Sequence, residues 1–277
     1  MSRRRYLQVD VFSDRAGFGN PLAVVIDSED LDETQMQRFA HWTNLSETTF
    51  VVTPTSREAD YGVRIFTPVA ELPFAGHPTL GTCHAWRQAG GRPAADDLVV
   101  QECPAGLIRI RVEPDRLAFA APPLLRSGPA ADAVVAELVD VLGLDPDDPV
   151  AVEWVDNGPG WVAVLLRDAD AVLAVRPGYA DRSIGVVGPH PDGSAATIEV
   201  RAFFAKDGTL VEDPVTGSLN ASLGQWLTST GRVTAPYVAA QGTQLGRVGR
   251  VHVSVDDGGQ VWVGGGTVTC VDGEIDV

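Results

Sequence analysis

The sequence predicts an α+β fold built from two related halves. Three observations carry this. Short runs rich in Val, Ile, Thr and Phe recur between Gly, Pro and Asp turns, helical patterns are few, and motifs of the first half return in order in the second. The strand-like runs are 7–12, 22–26, 50–53, 63–66, 107–112, 162–166, 197–204, 251–255 and 261–263. "VSVDDGGQVWVGG" reads as a hairpin around Asp257-Gly258. Residues 31–43 place Met36, Phe39 and Ala40 on one helical face behind Asp30 as N-cap. Residues 131–142 do the same with Val134, Val135, Leu138, Val141 and Leu142, up to a stop at Gly143. Two further helices begin near Pro78 and Ser218.

The internal echo has three parts. "PLAVVID" (21–27) matches "WVAVLLRD" (161–168), each behind a Gly/Pro-rich turn, "GFGNP" or "NGPG". "RIF" (64–66) matches "RAFF" (201–204), and "PTLG" (78–81) matches "GSLN" (217–220). Ala23 and Thr79 are 56 residues apart, Ala163 and Ser218 are 55 apart. Three matches in order at near-constant spacing favour related halves over the generic likeness of β-rich segments. The Pro/Gly-rich stretch "APPLLRSGPA" (121–130) is the natural linker between them.

Composition narrows the function. A chain of 277 residues, 44% apolar and 21% charged, has ample core. No apolar run is of membrane-spanning length, and "MSRRRYLQVDVF" has no apolar stretch behind its arginines, so a cytoplasmic location is expected. Net charge of −16 argues against binding nucleic acid, which requires clustered Lys and Arg. A small anion could still be received by backbone dipoles. Cys83, Cys103 and Cys270 form neither a disulfide framework nor a zinc pattern and read as core residues. His41, His77, His84, His190 and His252 show no ligand spacing, so no metal is expected.

"PFAGHPTLGTCHAW" (73–86) and "VEDPVTGSLNASLGQWL" (211–227) both run from a turn into a helix. Pro78 suits the first helical position of one and Ser218 the N-cap of the other. Small residues at each junction expose backbone N–H groups at the positive end of a helix dipole. If related halves face equivalent helices toward each other, both N-termini meet one cleft.

Glu47, in "NLSETTF", is the only residue charged at neutral pH between Arg38 and Arg57, and β-prone Thr48, Thr49, Phe50, Val51 and Val52 follow it. A carboxylate there is costly unless it is hydrogen-bonded or neutral. A helix-capping role with Asn44 does not fit the strand that follows. A solvent-facing strand position and a buried ion pair both stay open on the residues alone.

The blocks "FGNPLAVV", "NLSETTFV", "FTPVAELPFAGHPTLG", "VEDPVTGSLNASL" and "QGTQLGRVGRVHVSV…VWVGGGTV" resemble the PhzF-like phenazine-biosynthesis family, in the family's order and over essentially the whole chain. The resemblance implies the diaminopimelate-epimerase fold: two pseudo-symmetric lobes, each a curled, mostly antiparallel sheet around a central helix. The lobes would be 1–124, joined by a last strand at about 267–277, and 125–266. It also implies a cofactor-independent isomerase, expected as a homodimer, that relocates a proton on a small carboxylate-bearing, unsaturated substrate. Glu47 would be its general acid/base, with a pKa raised by partial burial. His77 and Asp213 would touch the substrate, and Ser46, Gly76, Gly217 and Ser218 would supply hydrogen-bond donors, with Asn20 a further binding residue. An epimerase of the same fold would need a cysteine at each helix junction, and none lies between Phe74 and Thr82 or between Leu210 and Val261. A non-catalytic acid-binding protein would not need Glu47, His77 and Asp213 together. Counting 24 residues from Ala23 reaches Glu47, whereas 24 from Ala163 reaches Val187, so the second half is expected to hold no counterpart acid.

Overall fold

In a computed structural model, which describes residues 2–206 and 208–277, the chain divides into two units, Met1–Ala120 with Gly264–Val277, and Ala121–Val263. The first unit contains β1 (Arg3–Val11), β2 (Asn20–Val25), α1 (Glu33–Thr43), β3 (Glu47–Val52), β4 (Tyr61–Phe66), β5 (Glu71–Leu72), α2 (Gly76–Gln88), β6 (Leu98–Cys103), β7 (Gly106–Val112) and β8 (Leu117–Ala120). The second contains β9 (Arg126–Pro129), α3 (Asp132–Leu142), β10 (Ala151–Asp156), β11 (Val162–Leu165), α4 (Ala169–Ala174) and β12 (Ile184–Pro189). It continues through β13 (Ile198–Lys206), β14 (Thr209–Asp213), α5 (Gly217–Ser229), β15 (Tyr237–Gln241) and β16 (Gly249–Val255). After β17 (Val261–Gly265) the chain is back in the first unit, where β18 (Thr267–Asp276) pairs antiparallel with β1.

Both units are wired alike. In the first, β1 is antiparallel to β2, β2 parallel to β3, and β3 antiparallel to β4; β4 is antiparallel to β5 and parallel to β6, and β6 is antiparallel to β7. The second repeats this series from β10 to β16. An ion pair repeats with it. Arg64 grips both carboxylate oxygens of Glu71 at 2.7 and 2.6 Å, and Arg201 grips Glu212 at 3.0 and 2.7 Å. These bidentate pairs align "ELPFAG" with "EDPVTG" and set His77 in register with Ser218.

Strand register corrects the expected counterpart of Glu47. Leu22 pairs with Glu47 in one unit and Val162 with Ile184 in the other, so the equivalent position is Ile184, not Val187. The crossover to β3 carries the 11-residue α1, and the crossover to β12 only the 6-residue α4, so a constant count overshoots. Ile184 is fully buried and apolar.

A helix buried all round must be enclosed by its sheet. α2 is buried at every position from Gly76 to Cys83 and packs on β1, β2, β3 and β8. α5 is likewise buried through most of its length and packs on β10 and β16. α1 instead lies on one face, setting Met36 and Ala40 against Val25, Phe50 and Phe66.

Several local expectations change. Asp32, not Asp30, caps α1, in a reciprocal capping box with Gln35; Asp30 instead receives the Arg4 guanidinium. Pro78 is the third residue of α2, where its missing N–H is still one of the orphan donors of the first turn. Thr216 rather than Ser218 stands at the N-cap of α5. The stretch expected as linker contains β9, paired with β10. Cys270 is exposed, because the middle of β18 faces outward, whereas Cys83 and Cys103 are buried. Gly143 does end α3, at φ 64. Among the described residues no helix is long and apolar enough to cross a membrane.

Candidate active site

Asn20 opens β2, Glu47 opens the neighbouring parallel β3, and His77 is the second residue of α2. Their positions follow from local chemistry. The Asp10 carboxylate accepts the N–H groups of Phe18 and Gly19 at 2.8 and 2.9 Å, which folds the "GFGN" loop over the end of β1. A Cβ on Gly19 would lie 2.1 Å from the Val11 carbonyl oxygen, so only glycine lets the chain pass there into Asn20. α1 ends on Asn44 in the left-handed conformation, φ 55, which turns the chain through Ser46 into Glu47. The Thr82 hydroxyl, on α2, donates to the Thr49 hydroxyl at 2.8 Å and sets the height of the helix against β3.

The three side chains then form a line. Asn20 Nδ2 lies 3.3 Å from His77 Nδ1, and His77 Nε2 lies 3.2 Å from Glu47 Oε2. Asn20 is 0% exposed, and the side chains of His77 and Glu47 are 5% and 16% exposed, so the line runs outward to the carboxylate. Burial pushes the His77 imidazole down to about 3, and the positive end of α2 opposes a further positive charge there. His77 is therefore neutral at pH 7 and works as a hydrogen-bonding ring. It does not act as a cationic partner of Glu47.

In the second unit Asp213, Gly217 and Ser218 gather at the start of α5. The Thr216 hydroxyl donates to Asp213 Oδ2 at 2.5 Å and accepts from Gln241 Nε2 at 2.9 Å. Gln241 Oε1 accepts from the Thr216 N–H at 3.0 Å and from Asn220 Nδ2 at 2.8 Å. Ser218 Oγ accepts from Trp161 Nε1 at 3.1 Å, leaving its hydroxyl proton to donate elsewhere. Thr216, Asn220, Gln241 and Trp161 escaped sequence reasoning. The available signal was Gln241 itself, a glutamine closing the apolar run "YVAAQ". Gln101 does the equivalent work in the first unit, donating to Thr79 of α2 at 3.1 Å.

α1 and α4 have aspartate N-caps, whereas no N-cap side chain bonds the first turn of α2 or α5. Backbone donors at these two starts are suited to receiving an anion. Burial pushes the Cys83 thiol up to about 12, so it is no thiolate base. Among the described residues no group of three or more His, Cys, Asp or Glu side chains is placed to hold a metal ion.

The sequence profile of the phenazine biosynthesis-like proteins matches residues 9–273. The chain belongs to that family. Over 99% of both chains it is 34% identical to the protein of Schizosaccharomyces pombe called antisense-enhancing sequence 1. It is 35% identical to the trans-2,3-dihydro-3-hydroxyanthranilate isomerase of Pseudomonas fluorescens, over 87% of each chain. The crystal structure of a PhzF-family phenazine biosynthesis protein from Bacillus anthracis superposes with a TM-score of 0.85, covering 100% of both chains at 24% identity. This phenazine biosynthesis-like chain is thus a PhzF-family isomerase with a small-molecule substrate, on the fold of that family.

Proposed function

We propose that this isomerase moves a proton on a small unsaturated carboxylic acid, with Glu47 as the general acid/base. The carrying observation is the half-buried Glu47 carboxylate, 3.2 Å from a neutral imidazole at a helix N-terminus. Glu47 takes a proton from a C–H next to the conjugated system. The electron pair shifts along that system, and the carboxyl group returns the proton to another of its carbons, leaving Glu47 as it began. The buried apolar Ile184 at the equivalent position of the second unit supports a single base, which suits transfer along one face better than stereoinversion. His77 adjusts the charge on Glu47 through its own N–H. The N–H groups at the start of α2, with Gly76 and Ser46 as donors, receive the substrate carboxylate. At the start of α5, Gly217 and the Ser218 hydroxyl are donors of the same kind, beside Asp213. Dipoles suit this role in a chain of net charge −16, where side-chain cations are outnumbered.

The acid to try first is trans-2,3-dihydro-3-hydroxyanthranilate, the compound named for the Pseudomonas fluorescens relative. Glu47→Gln keeps the shape but carries no proton, so turnover should fall by about 10²–10⁴ with binding retained. In D₂O the wild-type product should gain deuterium at the new C–H on one face only. Near-normal turnover by a folded Glu47→Gln protein would sink the assignment, and deuterium on both faces would sink the single base.

A further inference from the structure

We propose that Asn20 is a positioning residue, whose buried amide holds the His77 imidazole as the Nε2–H tautomer, so that the ring's one proton sits on the nitrogen nearest Glu47. The inference rests on Glu47 being the acid/base, and it gives Asn20 a task other than touching substrate. A side-chain amide nitrogen can only donate, and Asn20 Nδ2 faces His77 Nδ1 at 3.3 Å, so Nδ1 accepts. A neutral imidazole that accepts at one nitrogen carries its proton on the other. That other nitrogen, Nε2, is 3.2 Å from Glu47 Oε2, a close contact whose geometry falls short of a hydrogen bond, so the N–H acts on the carboxylate as a nearby dipole. The opposite tautomer would set a ring lone pair against carboxylate oxygen, a repulsion in a poorly solvated place. With the N–H in place, the carboxylate is stabilised as a base between turnovers, and the ring keeps its proton while Glu47 shuttles the substrate's.

Asn20 is built to hold this position. It is fully buried, so bulk water does not compete for Nδ1. Its backbone leaves a loop closed by two N–H bonds to Asp10 and by the tight passage of Gly19 past Val11. None of these features is needed for a residue that only lines a substrate cavity.

The test is ¹⁵N NMR of the full chain labelled in its histidine rings, with the His77 signals identified by their loss in His77→Gln. At neutral pH the wild-type ring should show a protonated Nε2 and a bare Nδ1. Asn20→Asp has the same shape but can only accept, so Nδ1 should become protonated. With trans-2,3-dihydro-3-hydroxyanthranilate as the assay substrate, kcat should fall by about 10²-fold while KM changes little. A wild-type ring protonated at Nδ1 overturns the proposal even if the variant fails to fold. So does a folded Asn20→Asp protein that keeps the Nε2–H tautomer, or one that changes tautomer at undiminished kcat. The two readings fail separately: full turnover by Glu47→Gln removes the acid/base role and leaves the tautomer result standing, whereas a wild-type Nδ1–H ring removes Asn20's role and leaves Glu47 untouched.

Discussion

His77 shows most directly how burial sets chemistry at the scale of one residue. Its imidazole titrates at about 3 in the folded protein, against about 6.5 for an unperturbed histidine. A base whose folded pKa is depressed binds more protons unfolded than folded between those values. Its stability contribution is therefore intact above about pH 6.5 and is lost as pH falls toward 3, at up to ~1.4 kcal/mol per pH unit. Urea midpoints measured from pH 7 down to 4 should fall less steeply for His77→Gln than for wild type, by about one proton's worth of slope. Equal slopes would mean that the ring is not held neutral. The family resemblance singles out Glu47 and His77 as separate residues in "LSET" and "AGHPT". That they face one another follows from α2 lying across the starts of β2 and β3, which no count along the chain contains.

At the scale of the element, α2 reads from sequence as a helix with a narrow apolar stripe of Leu80, Cys83 and Trp86. It is buried nearly all round, because Thr79 and Thr82 find partners in Gln101 and Thr49 and can leave water. Its small residues are there for close approach. A Cβ on Gly81 would come within 2.6 Å of Leu22 Cδ2, 2.9 Å of Val11 Cγ2 and 3.0 Å of Val9 Cγ2. Alanine is the better helix former by about 1 kcal/mol. Overpacking a close-packed core costs about 1–3 kcal/mol, and three fixed strand side chains have no room to yield. Gly81→Ala should therefore lower the stability measured by denaturant unfolding. An unchanged or raised midpoint would show that β1 and β2 relax around the helix. The caps teach the same lesson in reverse: the sequence reading points to Asp30, and the reciprocal bonds between Asp32 and Gln35 make Asp32 the cap instead.

At the scale of the whole molecule, the first unit is completed by the last stretch of the chain. β18 pairs along the full length of β1, from Arg3 opposite Asp276 to Val11 opposite Thr267. Deleting residues 267–277 should strip one edge of β1 and sharply raise amide exchange in that strand; unchanged protection of β1 would show the pairing to be dispensable. Composition and local pattern were enough, by themselves, to indicate the α+β class and the duplication, because strand periodicity, turn residues and repeated motifs act over a few residues. The candidate acid came from the family resemblance, since the residues around Glu47 leave other roles open. Tertiary structure alone decided that Ile184 answers Glu47, since the two crossovers differ in length and only strand pairing sets register. It alone decided that Asn20, His77 and Glu47 form one line, since hydrogen-bond geometry depends on where three elements distant in sequence are packed.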